Sequence, residues 1–299
     1  MKTNTSEKTY DLALLGHYTK DTIVSATGTR LVDGGAFNYG AQVGIRMELE
    51  VAAITRLAQQ DFYVVDELAG LGVDVFARST PASTCLRLVY PTSNVDERRI
   101  YVESTAGAFT PAEVETLQAR AILVGPSMRG EVSVEVMEAL RDKEMIVSLD
   151  VQGFVRVNRG GELAYETWPG KEAVLACVDV LKTDAVEAEI LTGETDIKTA
   201  AHIIADLGPK EIVLTHRNGL LVYAEGRFYE TAFHPRELVG RSGRGDTCTA
   251  AYVAKRLTAS PAEATIWAAA VTSLKMEAEG PFRREIGEVE ELFRRMYKI

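Results

Sequence analysis

The feature that most constrains the fold is an alternation of short aliphatic or β-branched runs with segments of helical periodicity. The apolar runs are "YDLALLG" (10–16), "VAAIT" (51–55), "AILVG" (121–125), "MIVSLD" (145–150), "VDVLKT" (178–183) and "EIVLTH" (211–216). The helix-period segments cover 35–47, 61–71, 131–143, 184–192 and 197–207. Strands that alternate with helices of this length form right-handed crossovers around a parallel sheet covered on both faces. The pattern therefore predicts an α/β fold, a three-layer α/β/α sandwich with a mostly parallel sheet.

Two β-rich stretches, at about 21–35 and 83–104, interrupt this alternation, and the second predicts a hairpin with "PTSNVDE" as its turn. "GLLVYAEGRFYETAFH" predicts another hairpin, at a sheet edge, and helices are expected over 246–257, 261–278 and 285–297. No Pro/Gly/Ser-rich linker divides the chain. We therefore expect a single domain over residues 1–299, with a small β lid built from the two β-rich stretches.

The charge balance disfavours two classes of partner. The 299 residues include 33 Lys and Arg against 43 Asp and Glu, a formal net charge of −10. Nucleic acids and anionic membrane surfaces both require a basic footprint, so neither is expected to bind. A phosphorylated ligand would need local positive potential from backbone amides, an Arg, a Lys or a metal ion.

The cysteine pattern and the first residues bear on location. Cys85, Cys177 and Cys248 are odd in number and far apart, which indicates a reducing compartment rather than a disulfide framework. The start, "MKTNTSEKTYDLALLG", lacks the apolar core of a signal peptide. No apolar run reaches the ~18 residues of a membrane span. We therefore expect a cytoplasmic protein.

The stretch "SGRGD" (242–246) places glycines directly before an expected helix. Free amides at a helix N-terminus form an anion site, and glycine lets a ligand approach the backbone closely. Asp246 could take a proton from a hydroxyl that attacks a phosphorus atom, or it could only cap the helix. Arg244 could contact the transferred group, or it could point outward and pair with an acidic helix face.

Other polar positions are also open to two interpretations. Asp21 follows the first strand and could hold two hydroxyl groups, or it could be a turn aspartate. Asp184 and Glu187 lie on one helix face, where they could hold waters around Mg²⁺ or form a solvated acidic face. "GGAFNYGA" (34–41) could bring the backbone close to a ligand or only start a helix. "LTHRNG" (214–219) could be an ordinary hairpin turn.

In this order, the motifs resemble the ribokinase (phosphofructokinase-B) family of carbohydrate and nucleoside kinases, from Asp11 to about Gly280. The resemblance implies that "GRGD" replaces the family's Gly-Ala-Gly-Asp motif. Gly243, Arg244 and Gly245 would then hold the transferred phosphoryl group. Asp246 would be the catalytic base.

The resemblance also implies roles outside that motif. Asp21, Gly34 and Gly35 would bind the acceptor substrate. Asp184-x-x-Glu187 matches the family's Asn-x-x-Glu motif, which is linked to magnesium and phosphate. "VLTHRNG" matches the strand and turn that touch ATP. The nucleotide-binding candidates are Lys182, Thr215, Arg217 and Gly219.

The sequence departs from the family pattern at the acceptor site. The family's sugar-binding Asn falls on Tyr39, and Asn38 lies one residue early. In "DVQGFVR", Asp150 fits the family's Asp-Pro-Asn-x-Arg stretch, Gln152 replaces the Asn, and an arginine occurs only at Arg156. These four polar positions, Asn38, Tyr39, Asp150 and Gln152, are the further acceptor-binding candidates.

Three stretches, "DVQGFVR", "GRGDTCTAAY" and "AAAVTSLKMEAEGPF", are similar to a branch that contains inositol kinase-like proteins. We therefore expect ATP- and Mg²⁺-dependent phosphorylation of a hydroxyl on a small polyol or sugar. A nucleoside kinase and a catalytically silent metabolite sensor are the alternatives. Members of this family often dimerise through the lid strands, but lid strands also occur in monomers, so a homodimer through the lid and a monomer both stay open.

Overall fold

The computed structural model of this protein describes residues 8–26, 28–92, 98–240 and 242–297. Its strands are β1 (Tyr10–Leu15), β2 (Thr19–Ser25), β3 (Gly28–Gly34), β4 (Val51–Ala58), β5 (Asp74–Thr80), β6 (Thr84–Val89), β7 (Arg99–Ser104), β8 (Ala119–Val124), β9 (Ile146–Asp150), β10 (Arg156–Arg159), β11 (Glu162–Tyr165), β12 (Val180–Asp184), β13 (Glu211–Thr215), β14 (Gly219–Ala224) and β15 (Arg227–Ala232). Its α-helices are α1 (Ala36–Arg46), α2 (Tyr63–Gly70), α3 (Val134–Arg141), α4 (Gln152–Val155), α5 (Lys171–Leu175), α6 (Ala185–Thr192), α7 (Ile197–Ala205), α8 (Arg244–Arg256), α9 (Pro261–Met276) and α10 (Ile286–Met296).

The main sheet has nine strands in the order β15-β14-β13-β12-β9-β8-β1-β4-β5. The strands from β13 to β5 pair in parallel, while β14 and β15 add an antiparallel hairpin at one edge. All six strands expected from the apolar runs lie in this sheet, and the expected edge hairpin is β14–β15. The α/β fold class is confirmed.

Helices cover both faces of the main sheet, because alternate strand residues feed two separate cores. Leu12 and Leu14 of β1 pack with residues of α1, α8, α9 and α10. Ala13 and Leu15 of the same strand pack on the opposite side, with residues of α3, α5, α6 and α7. Strand residues alternate in direction, so a strand buried on both faces must be apolar throughout. This explains the unbroken apolar runs and confirms the three-layer sandwich.

A second sheet has six strands in the order β10-β11-β7-β6-β2-β3. β2, β3, β6 and β7 come from the two β-rich stretches, and β6 and β7 pair in antiparallel fashion as a hairpin. Residues 93–97 of the expected turn lie outside the described residues. The short strands β10 and β11 were not expected.

Two kinds of strand escaped the sequence pattern for a physical reason. β5 is an edge strand of the main sheet, and its residues are half-buried or exposed, so no apolar run marks it. β10 and β11 have four residues each and carry several polar side chains. Separately, no helix within the described ranges is long and apolar enough to cross a membrane.

The connection from the second sheet into α1 depends on Gly35. This residue has φ 98° and precedes the helix, and a Cβ there would collide with the carbonyl oxygen of His17. His17 lies in the link between β1 and β2. The β1–β2 link and the β3–α1 link both connect the main body of the protein to the second sheet, and the close approach of Gly35 to His17 brings these two links into contact.

We predict that Gly35→Ala destabilises the protein more than Gly28→Ala. Both glycines have positive φ, but only the Gly35 position adds a collision, since nothing lies within 4 Å of a Cβ at Gly28. The extra loss in the free energy of unfolding should be about 1–3 kcal/mol, the usual cost of overpacking. Denaturant unfolding followed by circular dichroism measures it, and equal losses for the two variants would contradict the prediction.

Candidate active site

The first turn of α8 forms the centre of the site. Gly243 adopts the left-handed conformation (φ 71°, ψ 13°) and is the residue at which the helix starts. The Thr247 amide donates to its carbonyl oxygen at 2.9 Å. Asp246 therefore lies inside the first turn and is not the N-cap. The first amides of a helix have no intrahelical partner, so this turn can hold an anion.

Lys182 lies directly beneath this turn. A Cβ on Gly245 would come within 2.9 Å of the lysine Cε and 3.0 Å of its Nζ. The buried Nζ lies 3.0 Å from Asp150 Oδ2 and 3.5 Å from Glu187 Oε2. Burial opposes the charge, but the two carboxylates raise the pKa of Lys182 above its usual value. The lysine is thus a fixed cation under the anion-binding turn.

Glu187 is fully buried and already has several partners. It forms a capping box with Asp184 at the start of α6, in which each side chain accepts from the other residue's amide. Its Oε1 lies 3.4 Å from Arg156 Nη2, in addition to the contact with Lys182. Burial raises the pKa of Glu187, and the charge of Lys182 opposes that rise.

This donor set does not fit a metal ion bound directly to Asp184 and Glu187. The carboxylate of Glu187 faces two cations, and the Asp184 side chain accepts from a helix amide. No group of three or more His, Cys, Asp or Glu side chains in the described ranges could hold a metal ion. The expected magnesium ligands are therefore engaged in the local ion pairs and the helix cap.

Asp246 faces the same group of charges. Burial raises the pKa of its carboxyl group. The cations that oppose this rise are Lys182, Arg156 and Lys275. A carboxylate with a raised pKa accepts protons more readily near neutral pH, and the neighbouring cations favour its ionised form. The position therefore suits a general base.

Asp21 of β2 faces Asp246 from the second sheet. Burial raises the pKa of the Asp21 carboxyl to about 7, against the effects of Thr19 and Arg98. The Oδ1 atom is buried without a hydrogen-bond partner among the described residues. A Cβ on Gly34 would lie 2.8 Å from Asp21 Oδ2, so the glycine leaves room for this carboxylate.

A salt bridge joins the second sheet to the main body at this end. Arg30 of β3 pairs with Glu279, which follows α9, at 2.9 Å.

Tyr39 lies close to both carboxylates. Burial raises the pKa of the Tyr39 phenol, and the charges of Asp246 and Asp21 raise it further. The acceptor candidates Asp21, Gly34 and Tyr39 are thus brought together beside Asp246.

Asn38 and Tyr39 are occupied by packing. The side-chain Nδ2 of Asn38 donates to the carbonyl oxygen of Asp33 at 3.2 Å, and the side-chain Oδ1 of Asn38 accepts from Gln42 Nε2 at 3.2 Å. The Tyr39 ring lies against Gly243, where a Cβ would collide with it. The Tyr39 hydroxyl is buried with no partner among the described residues. Asn38 therefore stabilises the start of α1, and Tyr39 supports the anion-binding turn.

Asp150 and Gln152 lie on the Lys182 side of the site. Asp150 pairs with Lys182 and accepts from the Gln152 amide at 3.0 Å. The Gln152 side chain is half-buried. The structure thus places Asp150 in the ion-pair group beneath the turn.

The remaining nucleotide-binding candidates lie at the turn between β13 and β14. Thr215 is buried at the end of β13, Arg217 is exposed, and Gly219 opens β14. Arg244 extends toward this side, with its guanidinium 6.0 Å from the Phe233 ring centroid. Burial lowers the pKa of His216, and the charge of Arg244 adds to that effect. Arg244 therefore lies between the anion-binding turn and the end of β13.

Two cations at the site carry roles that the sequence did not assign. Arg156 was noted only as a displaced arginine, yet it faces Glu187. Lys275 was overlooked, although a signal was present. Ala268, Val271 and Lys275 recur at helical spacing on the buried side of α9, where a lone lysine in an apolar stripe is unusual.

The chain matches the model of the pfkB family carbohydrate kinases over residues 9–282. It is similar to a sulfate complex described as a pyrophosphate-dependent kinase in the ribokinase family, at 36% identity and a TM-score of 0.87, covering 93% of this chain and 99% of the other. A related structure is described as complexed with a pyrophosphate analog and myo-inositol, at 34% identity and a TM-score of 0.87, covering 94% and 99%. A cytidine kinase of Thermococcus kodakarensis is 24% identical over 259 residues, covering 82% of this chain and 87% of the relative.

These matches confirm the resemblance seen in the motifs. Members of the family are phosphotransferases that act on hydroxyl groups of sugars or polyols. The match covers well over half of the chain, and the residues gathered around the first turn of α8 lie within it. This protein therefore belongs to the pfkB family of carbohydrate kinases, and its expected inositol branch agrees with the structures that it resembles.

Proposed function

We propose that this protein transfers a phosphoryl group to a hydroxyl of a cyclic polyol, with myo-inositol as the first candidate acceptor and inorganic pyrophosphate as the first candidate donor. The observation that carries the donor proposal is a group of cations around one helix turn in a chain of net charge −10. Lys182 lies beneath the turn, Arg244 beyond it, and Arg156 beside Glu187. The likeness to pyrophosphate-dependent kinases supports the same choice.

Charge distinguishes the two candidate donors. Pyrophosphate carries dense negative charge at both ends, so it gains from cations on both sides of the transferred group. ATP, the donor expected from the motifs, needs an additional slot for its adenosine, which would lie near Thr215 and Gly219. ATP is therefore the second candidate donor.

In the proposed reaction, Asp246 accepts the proton of the attacking hydroxyl group. The hydroxyl oxygen forms a bond to phosphorus, and the bond from phosphorus to the bridging oxygen breaks. The leaving phosphate keeps the electron pair of that bond. The amides of the first turn of α8, together with Lys182 and Arg244, stabilise the negative charge on the transferred group.

The acceptor would lie between Asp21 and Asp246, next to Gly34 and Tyr39. The unpartnered Asp21 Oδ1 supports this placement, because a buried carboxylate oxygen without a donor has a strong tendency to accept hydrogen bonds. Magnesium would enter with the donor as its counterion, and its requirement remains a prediction. The cytoplasmic location and the homodimer formed through the second sheet also remain predictions, and sedimentation velocity tests the dimer.

Nucleoside phosphorylation is the second candidate function, because of the similarity to the cytidine kinase. One panel separates the candidates. Phosphate release and product formation are measured with pyrophosphate or ATP, each with and without magnesium, against myo-inositol, ribose, fructose and cytidine. Pyrophosphate-dependent turnover of myo-inositol supports the proposal, whereas ATP-dependent turnover of cytidine would overturn it. Ligand binding without turnover across the whole panel would favour a metabolite sensor.

We predict that Asp246→Asn lowers turnover by about 10²–10⁴-fold, the usual scale for loss of a general base. Donor binding should persist, because the amides and cations of the turn remain. Steady-state kinetics measures turnover, and calorimetry with pyrophosphate measures binding. Turnover within threefold of wild type would refute the assignment of Asp246 as the base.

We predict two pH effects from Asp21. The carboxyl has a pKa of about 7 in the folded protein, raised from 3.8 by burial, so it ionises as pH rises through 7. The kcat/KM for the acceptor should fall below pH 7, because the neutral carboxyl is a weaker acceptor of hydroxyl protons. Asp21→Asn should lower kcat/KM and flatten this limb of the profile.

The second effect concerns stability and needs no activity. Because the folded pKa is raised, the stabilising contribution of Asp21 is present below pH 4 and lost as pH rises through 7. The melting temperature of Asp21→Asn should therefore increase relative to wild type between pH 5 and pH 8. Asp66→Asn, which removes an exposed carboxylate, is the control and should show no such trend.

We predict that Arg244→Ala lowers kcat/KM for the donor by about 10- to 100-fold, the range for losing a hydrogen bond to a charged group. The KM for the acceptor should stay within threefold, because Arg244 extends toward the end of β13. Initial rates at varied pyrophosphate measure the effect. Arg227→Ala, at an exposed position of the edge hairpin, is the control. An unchanged donor kcat/KM would exclude Arg244 from donor binding.

A further inference from the structure

Lys275 is a buried cation with an unusual set of neighbours. It lies in the last turn of α9 and is 2% exposed. Its Nζ donates to the carbonyl oxygen of Gly240 at 3.1 Å and lies 5.8 Å from the Tyr39 ring centroid. Lys182, the comparable buried lysine, pairs with two carboxylates. Lys275 takes part in none of the ion pairs between described residues.

The charges that face Lys275 come from three elements. The charged groups are Glu279 after α9, and Asp246 and Arg244 in α8. The third element, α1, contributes the uncharged Tyr39 ring. Burial lowers the pKa of Lys275 to about 8, and only the more distant charges of Glu279 and Asp246 oppose that effect. A buried ammonium without a paired carboxylate is costly, so its position next to the anion-binding turn calls for a reason.

Lys275 faces two parts of the structure that support the anion-binding turn, the Gly240 carbonyl and the Tyr39 ring. The amides of Val239 and Gly240 donate to the carbonyl oxygen of Met276 at 2.9 and 3.1 Å. A Cβ on Gly240 would collide with the Ala278 carbonyl oxygen. Val239 and Gly240, which precede Gly243 in the chain, are thus held against the end of α9. The other side of Gly243 rests on the Tyr39 ring, which the Lys275 ammonium also faces.

We infer that Lys275 is a built-in cation that positions the phosphate-binding turn and offsets the negative charge of phosphoryl transfer. The inference rests on the proposed function, because it assigns Lys275 to the same turn. Lys275 is a positioning residue. It acts through the Gly240 carbonyl, the Tyr39 ring and the electrostatic potential around Asp246. A fixed charge in a site that excludes water requires no reorganisation during the reaction.

Replacement of the lysine should create a requirement for an external cation. Lys275→Met keeps a similar volume, removes the charge and leaves the Gly240 carbonyl oxygen without its donor. An ammonium or potassium ion can then bind that oxygen and restore part of the lost potential. Lys275→Arg keeps the charge and should retain more activity than Lys275→Met.

The experiment compares wild type, Lys275→Met, Lys275→Arg and the control Lys255→Met in the donor and acceptor assay. Lys255 is a lysine of α8 that pairs with Glu263 at 2.9 Å, outside the site. Each variant is assayed in sodium chloride, potassium chloride or ammonium chloride at the same ionic strength. We expect Lys275→Met to lose about 10²-fold in kcat, as for removal of one electrostatic contact to the transition state. The acceptor KM of Lys275→Met should stay within threefold of the wild-type value. Ammonium chloride should raise the kcat of Lys275→Met at least tenfold above its value in sodium chloride.

The pH profile gives a readout that a merely structural role would not move. The wild-type kcat should decline above pH 8 as Lys275 loses its proton, and Lys275→Met should lack this limb. Turnover of Lys275→Met within threefold of wild type would overturn the inference. A loss with no cation rescue and an unchanged alkaline limb would also overturn it, because Lys275 would then matter only for packing.

Failure of the proposed function is distinguishable from failure of this inference. If wild type turns over no substrate in the panel, the function is wrong, and pyrophosphate affinity still tests Lys275. By calorimetry, Lys275→Met should bind pyrophosphate at least tenfold more weakly in sodium than wild type, and ammonium should reduce that difference. Equal affinities in sodium would overturn the role of Lys275 at the turn.

Discussion

A single buried ammonium shared by two carboxylates fixes the carboxyl edge of the main sheet. Lys182 of β12 and Asp150 of β9 are direct partners in the parallel register, and Glu187 lies one turn into the helix that follows β12. Three charges that enter a low-dielectric interior are stable only with close and satisfied geometry. This geometry fixes the position of the Lys182 side chain, against which the first turn of α8 packs. Gly245 lets this turn approach the lysine closely, because a Cβ there would lie 2.9 Å from Lys182 Cε and press on the end of its side chain.

The site divides charge between two sides. On the proposed donor side, Lys182 and Arg156 are balanced by Asp150 and Glu187, and Arg244 adds a further positive charge at the anion-binding turn. The acceptor side has Asp21 and Asp246, whose carboxyl groups both have pKa values raised by burial. In the proposed reaction, a polyanionic donor would bind at the amides of the first turn of α8 and Arg244, and a hydroxylated acceptor would form hydrogen bonds near Asp21.

Much of this arrangement was predictable from the sequence, and the failures have physical reasons. Strands buried on both faces leave unbroken apolar runs, and the glycines before Asp246 mark a helix start, so the main sheet and the position of Asp246 at the start of α8 could be predicted. The role of Glu187 toward waters around Mg²⁺ stays a prediction, but the sequence did not indicate that this residue is buried between Lys182 and Arg156. No local spacing reveals such long-range pairs. Tyr39 was assigned to the acceptor by position, whereas the tertiary packing also uses its ring to support Gly243.

The second sheet is assembled from three separate parts of the chain, and this gives the two sides of the site a shared mechanical element. Its edge strand β3 runs through Gly34 into α1 beside the acceptor, while its opposite edge strand, β10, begins at Arg156, which contacts Glu187 on the donor side. The backbone that carries Arg156 therefore belongs to the same hydrogen-bonded sheet as the strands that carry Asp21 and Gly34. The proposed acceptor and donor sides are thus joined by one continuous sheet, and a displacement of its strands as a unit would change the surroundings of both substrates together.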